Sequence, residues 1–323
     1  MLSISQARLS QMRIDLGINR YHEKEREIPV KRCWHYSSDG HAVSQLFYDD
    51  TDFTDGMNRV FIVLQKYDVI ILAFVLMDNH IHFILYGERE ECDRFIREYL
   101  RRTAMSISDR HNEPHPLSGL PVSCQKINSQ SYLKTAICYV LKNPTSAGMP
   151  FNFYDYPWSS GALYFRRQAE VSWCSPSWLV SLEECSYGEM AFREKREWLK
   201  THDEIPETIG THGKLVFPGE YVATVIVEEL FRTTRNFSYH IGKSNEETEM
   251  KSDSLALLTI PWKELRSHRD ELCMEMYNVD SFRSLDTGRR LKLGKRIRSQ
   301  YGCSKKQVAK LVGLVYEEIV DLL

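Results

Sequence analysis

An α+β fold, in which an antiparallel sheet carries helices on one face and is followed by an α-helical C-terminal region, is predicted by three features of the sequence. Two apolar runs, Val69 to Met77 and His80 to Tyr86, are rich in Val and Ile and are separated only by Asp78-Asn79, the pattern of two central strands joined by a tight turn. Two other segments, Thr54 to Tyr67 and Glu90 to His111, place their apolar residues on one side of a helix. Their order along the chain, a mixture without strict βα alternation, favours helices layered on an antiparallel sheet.

Taken in order, Lys31 to Tyr36 is the first strand, and the polar turn Ser37-Ser38-Asp39-Gly40 with the run Val43 to Tyr48 predicts a hairpin partner for it. The helix that follows lines up Met57, Val60, Phe61 and Leu64. The helix from Glu90 sets Phe95, Tyr99 and Leu100 on one side and Arg94, Arg97, Arg101 and Arg102 elsewhere. A loop with three prolines spans Asn112 to Ser123, and Ser131 to Lys142 is a further helix, expected to end at Asn143-Pro144 because proline disfavours the α conformation in the residue before it. Past about residue 165 charged helical stretches alternate with a segment rich in Gly, Pro and His. The expected division is therefore 1–165 for the α+β domain, 166–280 for a mainly helical connecting region, and 281–323 for a basic helical region.

With 323 residues, 42% of them hydrophobic, the chain is long enough for more than one core. Its formal net charge of −2 gives no general attraction for nucleic acid, so any such contact must come from local patches. The eight cysteines include no C-x-x-C pair, which argues against a zinc site or disulfide framework and for reduced thiols in a cytoplasmic protein. No stretch approaches the roughly 18 consecutive apolar residues of a membrane span.

The chemistry-bearing residues lie in two places. His80-Ile81-His82 sets two imidazoles two residues apart, hence on one face of a strand, where they are able to share a metal. Two hydrogen-bonded histidines on a half-buried strand are the plainer alternative. The second place is the helix ending in Tyr139-Val140-Leu141-Lys142-Asn143, where Tyr139 and Asn143, four apart, share a helix face. Packed across the sheet, that face would meet the histidines. His80, His82 and Asn143 would then form a mixed nitrogen and oxygen site suited to Mg²⁺ or Mn²⁺, and Tyr139 a nucleophile for a phosphodiester.

These segments resemble the HUH single-tyrosine transposases, and among them the REP-associated tyrosine transposases. Leu46-Phe47-Tyr48-Asp49-Asp50, Ala73 to His82, Tyr139 to Met149 and Asp155-Tyr156-Pro157-Trp158-Ser159-Ser160 occur in that family's order over roughly residues 30 to 165. The resemblance implies a ferredoxin-like sheet bearing His80 and His82, Tyr139 as catalytic residue, Asn143 as third metal ligand, and a 5′-phosphotyrosine intermediate with a free 3′-hydroxyl. It implies single-stranded DNA with hairpin-forming palindromes as partner. The chain departs from the family at Asp78, where proline is usual, and at Leu117 to Cys124, which lacks the usual aromatic and basic character. Tyr132, on nearly the same helix face as Tyr139, has Ala136 rather than Asn four residues on.

Between Gly288 and Tyr316 stand Arg289, Arg290, Lys292, Lys295, Arg296, Arg298, Lys305, Lys306 and Lys310 with no acidic residue. Ser304 as N-cap and Gly313 at a turn resemble a helix-turn-helix, with Tyr316 to Leu323 as its second helix; duplex or hairpin-stem binding is the functional reading and a solvated basic face the structural one. Arg97, Arg101 and Arg102 are candidates for a single-strand groove, Trp158, Trp173 and Trp178 for stacking or core, and His111 and His115 are expected in solvent. A histidine-triad hydrolase is excluded because position 84 is Ile84. A domesticated, non-catalytic DNA-binding regulator is the alternative function, and the long extension favours a monomer over a homodimer.

Overall fold

The computed structural model describes residues 4–19, 28–38, 45–113, 115–165, 190–201, 209–212, 214–242, 262–301 and 305–319, with three single residues besides. Helix α1 (Gln6–Asp15) precedes β1 (Pro29–Ser38), α2 (Asp50–Leu64), β2 (Ile70–Leu76), β3 (Ile81–Tyr86), α3 (Arg89–His111), β4 (Val122–Ser129) and α4 (Gln130–Ser146). The four strands form one antiparallel sheet in the order β2-β3-β1-β4. The class is thus α+β, as the mixed periodicities predict.

Two expectations about this sheet are corrected. The partner strand expected at Val43 to Tyr48 does not form over Gln45–Tyr48, and residues 39–44 lie outside the described residues. The backbone N–H groups of Leu46 and Phe47 go instead to the carbonyl of Asp78, and both side chains are buried. The place beside β1 is taken by β4, whose register sets Trp34 opposite Lys126 and Tyr36 opposite Cys124. Secondly, helices cover both faces rather than one. On β3, Phe83 meets Phe95 and Tyr99 of α3, while its neighbour His82 points the other way and meets Tyr139 of α4. Adjacent strand residues face opposite sides, so α3 and α4 are on opposite faces. Helix α2 shares the face of α3, and α1 that of α4, where Tyr86 donates to Asp15 at 2.8 Å.

Helix starts are capped by side chains: Asp49 accepts from Thr51 and Asp52 at α2, and Ser129 from Tyr132 at α4. Helix α4 runs through Pro144 to Ser146 instead of stopping at Asn143. Proline there removes one donor near the helix end, and the turn still closes because Ala147 donates to Asn143 at 2.9 Å before Gly148 takes a positive φ of 75°.

The outer edge of β2 is covered from two directions. Leu76 donates to Trp158 and Ser160 to Phe74, with the Ser160 hydroxyl accepting from Phe74 N–H at 3.0 Å; farther along, Ala223 donates to Ile71 at 2.9 Å. Trp158 itself is buried, stacked on Phe53 with centroids 5.1 Å apart; Trp173 and Trp178 lie outside the described residues.

The described structure divides into two compact units, residues 1–245 and 246–323. The described residues of the connecting region up to Gly242 belong to the first unit: α5 (Phe192–Leu199), the short hairpin β5 (Thr211–His212) and β6 (Leu215–Val216), α6 (Thr224–Phe231) and α7 (Thr234–Gly242). The reason is buried polar bonding from α2. Asn58 donates to Lys214 and accepts from Val216, and the fully buried Arg59 donates to the Leu199 carbonyl and pairs with Asp55.

The second unit holds α8 (Trp262–Tyr277), α9 (Thr287–Tyr301), α10 (Lys305–Val312) and α11 (Tyr316–Ile319) around a small core of Leu272, Cys273, Leu285, Leu293, Ile297, Val308, Leu311 and Val312. Gly313 takes the left-handed φ of 65° at the expected turn, whereas Ser304 lies outside the described residues. No helix among the described residues is long and apolar enough to cross a membrane.

Candidate active site

The site begins with strand register. His82 is the second residue of β3 and pairs with Ser37 of β1, and His35 lies two residues back on β1, opposite Ile84. His35 and His82 therefore point to one face from adjacent strands. His35 Nε2 is 3.1 Å from His82 Nδ1 and the rings stack with centroids 5.3 Å apart. Burial pushes His35 down to about 4, and burial, reinforced by His35 and His80, holds His82 well below the ordinary imidazole range. Both rings are neutral, so a single proton is shared across their contact and His82 keeps Nε2 for another partner.

His80 sits in the turn just before β3, where Met77 donates to its carbonyl at 2.8 Å. Its Nδ1 is 2.6 Å from Asn79 Oδ1 and its Nε2 is 2.7 Å from Asn143 Oδ1. Neutral imidazole has one ring proton; with that proton on Nδ1, Nε2 and Asn143 Oδ1 face each other as two lone-pair donors. A second proton, a turned-over amide or a shared cation each satisfies that arrangement.

Helix α4 delivers the remaining groups. Its buried residues Leu133, Ala136, Ile137, Val140 and Leu141 pack into the core, which fixes the helix across the sheet. Tyr139 is half-buried and meets His82 edge-on at 5.4 Å and His35 at 6.0 Å between centroids. Asn143, one turn on, is buried beside His80. The four residues singled out from sequence, His80, His82, Tyr139 and Asn143, thus converge. Tyr132 does not join them: its hydroxyl is buried with no hydrogen-bond partner and burial raises it far above the phenol range.

His35 was missed by sequence reasoning. It lies far from the paired histidines in sequence, and its only signal is a polar residue at an inward position between Cys33 and Ser37. Among the described residues no three His, Cys, Asp or Glu side chains form a metal-holding group, so a metal here would depend on the Asn143 amide oxygen.

The basic candidates are placed elsewhere. Arg97, Arg101 and Arg102 are on α3, across the sheet from Tyr139; Arg101 and Arg102 both pair with Glu98, at 2.7 and 2.6 Å. His111 pairs with Asp52, and His115 is buried rather than in solvent. In the second unit Arg289, Lys292, Lys295, Arg296 and Lys310 are exposed, and Arg298 and Lys305 are half-buried. Arg290 instead donates to the carbonyls of Leu285 and Arg283, both at 2.8 Å, with its guanidinium 5.7 Å from the Phe282 ring, and so braces the fold. The Lys306 side chain lies outside the described residues.

The sequence matches no family model and no curated protein. Among solved structures it is similar to one described as "Structure of the REP associates tyrosine transposase bound to a REP hairpin", at 16% identity over 43% of this chain and 82% of that chain, with a TM-score of 0.33. The reading of this chain accordingly rests on its own residues.

Proposed function

We propose that the chain is a metal-dependent single-stranded DNA endonuclease and strand transferase of the single-tyrosine HUH type, with Tyr139 as its nucleophile. The observation that carries this reading is the juxtaposition of a half-buried tyrosine with a His80–Asn143 pair at 2.7 Å and a neutral His82, assembled from two segments of the chain. The strand order β2-β3-β1-β4, a ferredoxin-like arrangement, supports it together with the resemblance of the sequence segments.

The donor set fits a cation: the imidazole of His82, kept unprotonated by burial, the imidazole of His80, and the amide oxygen of Asn143, which His80 Nε2 meets at 2.7 Å. His80, His82 and Asn143 would hold it. A bound Mg²⁺ or Mn²⁺ supplies charge neutralisation at a non-bridging phosphate oxygen. His35 is a positioning residue that fixes the ring of His82 through the Nε2 to Nδ1 contact. In the reaction, the Tyr139 oxygen forms a bond to phosphorus and loses its proton to solvent. The bond from phosphorus to the 3′ oxygen breaks, and that oxygen leaves as a hydroxyl after taking up a proton. The reverse attack by a 3′-hydroxyl rejoins the strand without ATP, because the phosphodiester energy is kept in the phosphotyrosine.

DNA contacts from the exposed basic residues of α9 belong to the same proposal, and they also favour the alternative, a DNA-binding regulator without catalysis. Incubation with labelled single strands from palindromes flanking its own gene, with Mn²⁺ or EDTA, followed by denaturing electrophoresis, separates the two. The expected result is a metal-dependent covalent adduct that disappears in Tyr139→Phe while binding persists. Tight binding with no adduct under any metal makes the regulator reading the correct one.

A further inference from the structure

Two of the exposed large aromatic side chains of the first unit, Tyr48 and Phe151, belong to segments hydrogen-bonded next to the turn that carries His80 and next to Asn143. Tyr48 is 45% exposed, and its ring leans on His111 with centroids 4.8 Å apart. It follows directly on Leu46 and Phe47, whose N–H groups are bound to the Asp78 carbonyl two residues before His80. Phe151 is 37% exposed, and its carbonyl accepts from the Thr145 hydroxyl at 2.9 Å, two residues past Asn143. Its ring packs on Tyr156 at 5.6 Å, and Tyr156 donates to the Leu76 carbonyl at the end of β2.

The Tyr48 ring is held in place. Its backbone N–H donates at 3.0 Å to Asp52, a carboxylate 1% exposed that also holds His111 at 2.9 Å and Arg110 at 2.8 Å. A buried carboxylate thus fixes the histidine on which an exposed aromatic rests. Arg110 bonds Asp49 as well as Asp52, and Asp50 stands beside them, so the surface offers flat rings and no excess of positive charge. Such a surface suits the faces of unpaired bases rather than phosphates, since any base has a π-face and stacking needs no counter-charge.

We propose that Tyr48 and Phe151 are stacking contacts for unpaired nucleotides of the single-stranded DNA presented to Tyr139. The proposal rests on the reading of the His80–Asn143 site given above. It assigns positioning of the strand to these two rings and leaves phosphate contacts to the basic residues of the chain.

The test uses the full chain carrying Tyr139→Phe, which stops cleavage, and a gene-flanking single strand in which 2-aminopurine is walked through the unpaired positions. Quenching is expected at one or two positions, lost in Tyr48→Ala or Phe151→Ala and kept in Tyr48→Phe. Each alanine variant should weaken binding about 10-fold, the order expected for one base-on-aromatic stack, with the dependence of affinity on salt unchanged. Melting curves like the parent's confirm that the variants are folded. Equal quenching and affinity in parent and alanine variants overturns the proposal, as does a loss that comes with a shallower salt slope, which marks a phosphate contact. Failure of the parent to bind the strand overturns it as well. Adduct formation by the unsubstituted chain is scored separately: no adduct with Tyr48-dependent quenching retained removes the nuclease reading and leaves the stacking surface standing.

Discussion

His35 fixes the ring of His82, a residue of the proposed metal site, from the neighbouring strand. Its Nε2 meets His82 Nδ1 at 3.1 Å in a buried setting, so replacing it with Phe leaves a buried nitrogen of His82 without its partner and frees the ring to turn. The expected outcome of His35→Phe is a metal concentration for half-maximal cleavage raised by about 10- to 100-fold, read from a Mn²⁺ titration of adduct formation. An unchanged titration would remove its positioning role. Glu98 allows a check on pH. Hydrogen bonding from Arg101, aided by Arg102, holds its carboxyl at about 2, below the unfolded value of about 4.3. A carboxyl depressed in the folded state binds more protons when unfolded, so its contribution is present above about pH 4.3 and is lost as pH falls toward 2. Because Arg101 is half exposed, the contribution is on the order of 1 kcal/mol. Urea midpoints of Glu98→Gln should fall less steeply than the parent's across that window, and parallel curves would show that the pairing adds nothing.

Among the elements, those with strong periodicity were legible from sequence and those whose identity depends on partners were not. The 3-and-4 spacing from Glu90 gave a helix within one residue of α3, and the Val and Ile run gave β2. Strand β4 escaped notice because it is an edge strand: Val122-Ser123-Cys124-Gln125-Lys126-Ile127-Asn128-Ser129 has one fully buried residue and no apolar alternation to reveal it. The run Val43 to Tyr48 misled because Leu46 and Phe47 are apolar for packing, with their N–H groups spent on a turn rather than a ladder. The site was legible to the extent that His80, His82, Tyr139 and Asn143 were named, while His35 depends on pairing between β1 and β3 that only the fold supplies. The Trp158-Ser159-Ser160 segment is testable at this scale. Trp158→Ala removes a buried ring stacked on Phe53 and should cost about 3–5 kcal/mol in urea denaturation; a loss below about 1 kcal/mol would mean that the segment closes the β2 edge through its backbone alone.

For the molecule as a whole, the charge is divided unevenly. The chain has a formal net charge of −2, yet the exposed side of α9 presents Arg289, Lys292, Lys295 and Arg296. If these contact DNA phosphates, Lys292→Ala and Arg296→Ala should each lower the slope of log affinity against log salt by about 1. Arg290→Ala should behave differently, leaving that slope alone and lowering the melting temperature, since its guanidinium is committed to the Leu285 and Arg283 carbonyls. Filter binding across a salt series distinguishes the two classes, and identical behaviour of all three variants would refute the division. The edge of β2 carries a consequence of another kind. Ile71 receives its outer hydrogen bond from Ala223, and Asn58 is satisfied by Lys214 and Val216, so the sheet is finished by residues that leave the ribosome long after Tyr139 does. A nascent chain that has just emerged to residue 165 therefore holds every proposed catalytic group, and Trp158 and Ser160 to close part of the β2 edge, while its Ile71 end is still bare. Completion of this edge waits on translation of the segment up to Ala223, with the Ile71 end exposed to pairing with other chains in the interval.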